Sequence, residues 1–217
     1  MSAEKVEIED YKRVATVLAE AFYHDPVHLY FAGPENGEQY AKLIQDCFEY
    51  IAYAALMRGH VYQVDDFSGV ALWTGPGERI DDWYTVFKSG LWRLTYKLGA
   101  ENRRRFFKEL IPLHNRVMPE AMAGRTHNFW YLMFVGVKEN SRGKGYLRRL
   151  IQPVLEIADQ SNLPCYLEST HPNNRPRYEH FGFNVVQSVH IKDGLNSIPI
   201  DVMVREPDSF YGSGQAS

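Results

Sequence analysis

The 217 residues are enough for one well-buried domain and too few to divide readily into two. With 45% hydrophobic and 24% charged residues the chain has an ordinary globular balance, and its 14% aromatic share is a surplus that fills a core or lines a pocket. A formal net charge of -3 supplies no basic field and argues against a nucleic-acid partner. The N-terminus carries Glu4, Lys5, Glu7 and Glu9 rather than a basic region and an apolar block, and no apolar run approaches the ~20 residues of a membrane span. A cytoplasmic location without a membrane partner is therefore expected. Two cysteines among apolar neighbours, Cys47 and Cys165, indicate neither a disulfide framework nor a thiolate metal cluster.

Tyr11, Val14, Ala15, Leu18, Ala19 and Phe22 recur at helical spacing behind Glu9 and Asp10, which predicts an amphipathic helix with acidic residues at its positive end. Tyr23, His24, Asp25 and Pro26 break it, because a residue before proline is pushed out of the α region. A second helix is predicted from about Gln39 to Met57. Strands His60 to Val64 and Gly69 to Trp73 flank the turn-like residues 65–68 as a hairpin. From Ile80 to about Ala123 the chain is aromatic and helical without strand alternation, and it reads as two or three helices inserted between strands, at about 78–123. Within it Arg103, Arg104 and Arg105 are either a solvated face or an aid to attracting a phosphorylated cofactor.

Phe129 to Val137 is an apolar run of strand length, expected to be buried on both faces. A polar turn then leads through Arg142, Gly143, Lys144 and Gly145 into a helix whose apolar face is Leu147, Leu150, Ile151, Val154, Leu155 and Ala158, with Pro153 inside it. Cys165 to Leu167 is predicted as a short strand, Asn173 to Phe181 as a short helix, and Phe183 to His190 and Ile198 to Val204 as strands. Residues 208–217 read as a loose polar tail.

A strand that turns through glycines directly into a helix offers unpaired N–H groups and a positive helix end, which is an anion site suited to a diphosphate. Gly143 and Gly145 let the backbone approach phosphate oxygens, and Arg142 and Lys144 add charge. The text fits neither a nucleoside-triphosphatase loop nor a three-glycine dinucleotide fingerprint.

Arg142, Gly143, Lys144, Gly145, Tyr146 and Leu147 resemble the pyrophosphate motif of the GCN5-related N-acetyltransferase (GNAT) superfamily, with Leu147 in place of its final small residue. Asn174, Tyr178, Glu179, Gly182 and Phe183 are similar to its second signature. Trp130, Tyr131, Leu132, Val135, Gly136 and Val137, then Leu167, Glu168, Ser169 and Thr170, look closest to the puromycin N-acetyltransferase branch.

The resemblance implies an α/β (α+β) fold: a mixed, strongly twisted central sheet of six or seven strands with helices on both faces, in a single N-acetyltransferase domain over 1–207. It implies acetyl-CoA as co-substrate, direct transfer through a ternary complex to a small-molecule amine, and a monomer or homodimer. A catalytically silent acyl-CoA-binding module and a peptide or protein amine acetyltransferase remain the alternatives.

Tyr178, protonated at neutral pH, suits donation to the departing thiolate, while Glu168 is either the acceptor of the amine proton or a structural carboxylate. The backbone of Phe134, Val135, Gly136 and Val137 would hold the acetyl carbonyl and pair with pantetheine, and Asn174 would bond the pantetheine arm. Acceptor-pocket candidates are Phe22, Tyr23, Asp25, His28, Tyr30, Trp73, Trp83, Tyr84 and Trp130. None of the eight histidines has metal-ligand spacing with a supporting carboxylate, so no metal is expected.

Overall fold

The computed structural model of the chain describes residues 3–33, 37–125, 127–193 and 196–208. The tail predicted at 208–217 lies, from residue 209 on, outside the described residues. One seven-stranded sheet organises the rest. Its strands are β1 (Glu4–Lys5), β2 (His60–Val64), β3 (Gly69–Thr74), β4 (Trp130–Val137), β5 (Cys165–Ser169), β6 (Asn184–Asp193) and β7 (Asn196–Arg205), in the order β1-β2-β3-β4-β5-β7-β6. β4 and β5 run parallel and every other neighbouring pair is antiparallel, so the expected mixed sheet with helices on both faces is present.

On one face lie α1 (Tyr11–Ala21), α2 (Pro26–Ala32) and α3 (Glu38–Arg58), where Val14, Leu18, Ile44 and Phe48 share a core with Val70, Leu72 and Tyr166 of the sheet. The other face is covered by α8 (Tyr146–Gln160), whose Leu150, Ile151, Val154 and Leu155 pack with Ala71, Trp73, Leu132 and Leu167. The alternation of Ala71 and Trp73 against Val70 and Leu72 is the period-2 rule that sends successive residues to opposite layers. Between β3 and β4 run α4 (Trp83–Ser89), α5 (Leu94–Lys97), α6 (Ala100–Arg105) and α7 (Ile111–Ala121), with a π-helical turn at Phe106–Leu110 joining the last two. The sequence predicts two or three helices in this insert; the structure has four α-helices, the longer runs being interrupted at Gly90 and Gly99. α9 (Arg175–Glu179) follows β5. No helix among the described residues is long and apolar enough to cross a membrane.

Two expectations need correction. The Asp25-Pro26 pair ends α1 but also starts α2: Asp25 Oδ1 accepts from the N–H groups of Val27 (3.0 Å) and His28 (3.1 Å), and Pro26 occupies the first turn, where its missing N–H costs nothing. Nor is β4 buried on both faces. Trp130 and Leu132 are buried, whereas Met133, Phe134 and Val135 are only partly so, because they border a cavity.

The ladder explains why. Leu72 pairs with Phe134 and Trp73 with Leu132, so Met133 is an extra residue in β4, a β-bulge. Past the bulge Phe134 joins Tyr131 and Met133 on the α1 side, while Val135 and Val137 turn to the α8 side. Gly136 then faces α1 at close range: a Cβ there would lie 2.9 Å from the Cβ of Ala21.

Candidate active site

Strand β5 pairs with β4 only through Trp130, Tyr131 and Leu132, although β4 continues to Val137 against β3. Beyond the bulge the two parallel strands therefore splay apart, and the β4 backbone from Met133 to Val137 has no strand on its β5 side. A cavity of about 1980 Å³ opens in this splay and extends under the insert. An unpaired strand edge is a row of donors and acceptors that an extended ligand can complete.

At one end of the cavity stands the turn into α8. Gly143 (φ 81°) and Gly145 (φ 74°) take left-handed backbone that other residues adopt only with strain. No side chain caps the helix, and the first helical N–H bond in this turn runs from Arg149 to the Gly145 carbonyl. The preceding N–H groups thus remain available for an anion at the positive helix end.

Arg142, Gly143, Gly145, Tyr146 and Leu147 line the cavity; Lys144 is exposed and does not. The Tyr146 hydroxyl donates to Asp65, which also takes a 3.0 Å bond from Arg149, so this residue anchors the β2–β3 turn on α8. Leu147 packs its side chain against the α8 core.

At the other end strand parity assembles a polar cluster in an apolar wall. Tyr166 and Glu168 are two apart on β5 and share a face, and Tyr131 is the partner of Tyr166 on β4. The Tyr166 hydroxyl donates to Glu168 Oε1 at 2.8 Å, and the Tyr131 hydroxyl lies 3.5 Å from Oε2. From α7, His114 brings its Nδ1 to 3.0 Å from both carboxylate oxygens and stacks on the Tyr131 ring, centroids 5.7 Å apart. Burial opposes charge on His114, but the hydrogen bond and charge of Glu168, together with the charge of Asp81, raise its pKa above the ordinary histidine value. Burial and the Glu168 charge hold Tyr131 and Tyr166 far into the neutral form.

Tyr178 of α9 faces the cavity with a hydroxyl that has no hydrogen-bond partner among the described residues. Burial pushes its pKa up to about 12, against the Arg177 charge and with that of Asp25. It is a neutral phenol at any physiological pH. Asn174 also borders the cavity, its Oδ1 accepting from Arg177 at 2.8 Å.

Among the acceptor-pocket candidates the cavity takes Phe22, Tyr23, Asp25 and His28. The last two form a buried structural pair: His28 Nδ1 is 3.0 Å from Asp25 Oδ1, the imidazole stacks on Phe48, and Thr170 at the end of β5 donates to Asp25. Five other candidates are not brought to the cavity. Trp73 and Trp130 alternate onto the far face of the sheet, in the α8 core, and Tyr30 is held in the α1-side core by a hydroxyl bond to Glu109. Trp83 and Tyr84 point outward from the first turn of α4, 81% and 42% exposed, because Asp82 caps that helix and the face it buries carries Thr85 and Ser89.

His114 is the group that sequence reading missed. Nothing in the local text distinguishes it from the other histidines, since its partner is 54 residues away. Among the described residues no group of three or more His, Cys, Asp or Glu is placed to hold a metal ion.

Comparison with known proteins gives findings of one kind. Residues 109–183 match the model of the acetyltransferase (GNAT) family. The whole chain is 48% identical over 217 residues to an uncharacterized N-acetyltransferase of Schizosaccharomyces pombe, of which it covers 88%. Its fold is similar to a solved structure described as histone acetyltransferase HPA2 and related acetyltransferase from Corynebacterium glutamicum (24% identity, TM-score 0.60, 96% of this chain and 98% of that one). It is also similar to arylalkylamine N-acetyltransferase 2 from Aedes aegypti (17% identity, TM-score 0.63, 95% and 98%).

Proposed function

The chain belongs to the acetyltransferase (GNAT) family, and we propose that it moves the acetyl group of acetyl-CoA directly to the amine of a small molecule within a ternary complex. The observation that carries this reading is the splay of β4 and β5, with an uncapped glycine turn at one end and the Glu168 cluster at the other. An extended thioester ligand fits that order. Its diphosphate meets the N–H groups of the 142–147 turn and the Arg142 charge, and its amide-bearing arm pairs with the free edge of Met133 to Val137 beside Asn174. The acetyl carbonyl then sits among β4 N–H groups that can stabilise an oxyanion.

Tyr178 suits the acid role: a phenol with pKa about 12 keeps its proton until a thiolate departs. The Glu168 cluster suits the opposite task, receiving the proton that the amine sheds. The acceptor side is walled by the insert through Leu91, Leu94, Leu110, Met118 and Met122, an apolar enclosure that favours a small molecule over a peptide lying in an open groove. We read 1–207 as one N-acetyltransferase domain, cytoplasmic in location, with the insert as its acceptor wall. The text from Trp130 to Phe183 supports a puromycin N-acetyltransferase-like branch.

Isothermal titration with acetyl-CoA and CoA, followed by thiol release on a panel of amines, tests the proposal. Binding of both nucleotides, thiol release with at least one small amine, and loss of binding in Gly145→Val are expected. No heat with either nucleotide at millimolar concentration would overturn it, and binding without thiol release on any amine would leave a silent acyl-CoA-binding module.

A further inference from the structure

We propose that the atom receiving the amine proton is Nε2 of His114, and that Glu168 is a positioning residue acting through it. The inference rests on the acetyl-transfer reading above and assigns a role to an insert residue outside the signature residues of the sequence.

The geometry fixes the tautomer. A carboxylate only accepts hydrogen bonds, so the His114 nitrogen 3.0 Å from both Glu168 oxygens carries a hydrogen. In the neutral ring Nε2 then holds the lone pair, and it has no partner among the described residues. Both residues border the cavity, and the side chains are partly open to it, 27% exposed for His114 and 19% for Glu168. Glu168 is already engaged by three donors, from Tyr166, His114 and Tyr131, which occupy lone pairs that a direct base would need. The stack on Tyr131 holds the imidazole plane from one side. A base oriented by a carboxylate that stabilises its protonated form is the arrangement that nucleophile-activating triads use.

The protons balance as follows. The neutral amine nitrogen bonds to the acetyl carbon, the carbon–sulfur bond breaks, and the amine proton passes to Nε2. Tyr178 gives its proton to the sulfur, leaving an amide and a thiol. Imidazolium then returns a proton to water and the phenolate takes one back, so no co-reactant is consumed. An amine arriving as ammonium first loses one further proton to solvent.

The titratable groups around His114 set the pH dependence: the charges of Glu168 beside it on β5 and of Asp81 from the segment before α4, with Tyr131 and Tyr166 on β4 and β5 remaining neutral. Only neutral His114 can accept a proton, so kcat/KM is expected to rise with pH through the raised His114 pKa. Glu168→Gln removes the anion that raises that pKa, so the acidic limb should move to lower pH while the plateau falls. If Glu168 were itself the base, the same change would abolish the limb instead.

The experiment combines pH profiles of wild type, His114→Ala, His114→Gln and Glu168→Gln with an NMR titration of the His114 ring in wild type and Glu168→Gln. His114→Ala should lose about 10²-fold or more in kcat/KM with little change in acetyl-CoA affinity, and added imidazole should restore part of the rate. His114→Gln keeps the side-chain volume and serves if the alanine variant folds poorly; it should lose a similar factor without imidazole rescue. Retention of the wild-type rate and acidic limb in either folded His114 variant overturns the proposal. So does an NMR pKa for His114 that Glu168→Gln leaves unchanged. That titration needs no substrate, so it judges the pairing by itself; a wild type that fails to bind acetyl-CoA would instead sink the acetyl-transfer reading and, with it, the amine as the source of the proton.

Discussion

Tyr178 illustrates how one residue serves through what surrounds it. Its hydroxyl lacks a partner among the described residues, and burial pushes its pKa up to about 12, so it stays protonated through the working range. Tyr178→Phe should therefore lower kcat by about 10²-fold while leaving the acetyl-CoA dissociation constant within about threefold, read by single-turnover kinetics and titration calorimetry. Wild-type kcat/KM should show no basic limb from Tyr178 up to about pH 10, and a loss of rate well below that value would assign the acid role elsewhere. The local spacing of Tyr178, Asn174 and the 142–147 turn let the sequence single them out as candidates, and all of these residues except Lys144 were placed where one cavity joins Asn174 and Tyr178 to Arg142, Gly143, Gly145, Tyr146 and Leu147. His114 was not legible in this way, because its meaning depends on Glu168 and Tyr131, which only the packing of α7 over the sheet brings within reach. The tryptophans erred the other way: the aromatic surplus suggested a pocket lining, but strand parity sent Trp73 and Trp130 to the opposite face.

Among the elements, the contact between α1 and β4 depends on the smallest side chains. Gly136 meets Ala21 so closely that a Cβ would stand 2.9 Å from the alanine Cβ and 3.2 Å from Leu18 Cδ2. Gly136→Ala should cost about 1 to 3 kcal/mol through overpacking. At this chain length that lowers the melting temperature by roughly 2 to 4 °C per kcal/mol. Adding Ala21→Gly should recover part of the loss, and a double variant no more stable than Gly136→Ala would show that the strain lies elsewhere. Most helices and strands were legible because hydrophobic period separates 3.6 from 2 over ten or more residues. What stayed hidden was short or conditional: two-residue β1, which exists by pairing with Tyr62 and Gln63, and seven-residue α2, whose Asp25 cap reads equally as a stop. The Met133 bulge leaves no local mark either, since it is defined by the register of a strand more than fifty residues earlier.

Seen whole, the molecule is a sheet whose two parts meet through three residue pairs, Trp130 with Cys165, Tyr131 with Tyr166 and Leu132 with Leu167. The chain up to β4 builds one part by antiparallel neighbours, and the chain from β5 onward builds the other. The splay that opens the cavity is thus also a weak seam in the ladder, with fewer residue pairs than any other junction but that of two-residue β1, and its strength depends on what occupies it. A ligand bonded to the β4 edge and to the β5–α9 side adds cross-links where the backbone has none, and it binds only when both parts are folded together. Scanning calorimetry should therefore show more than a rise in melting temperature with acetyl-CoA: the ratio of van't Hoff to calorimetric enthalpy should move toward one as the two parts come to unfold as a single unit. A ratio already at one without ligand would mean that the cores on the two faces weld the seam by themselves.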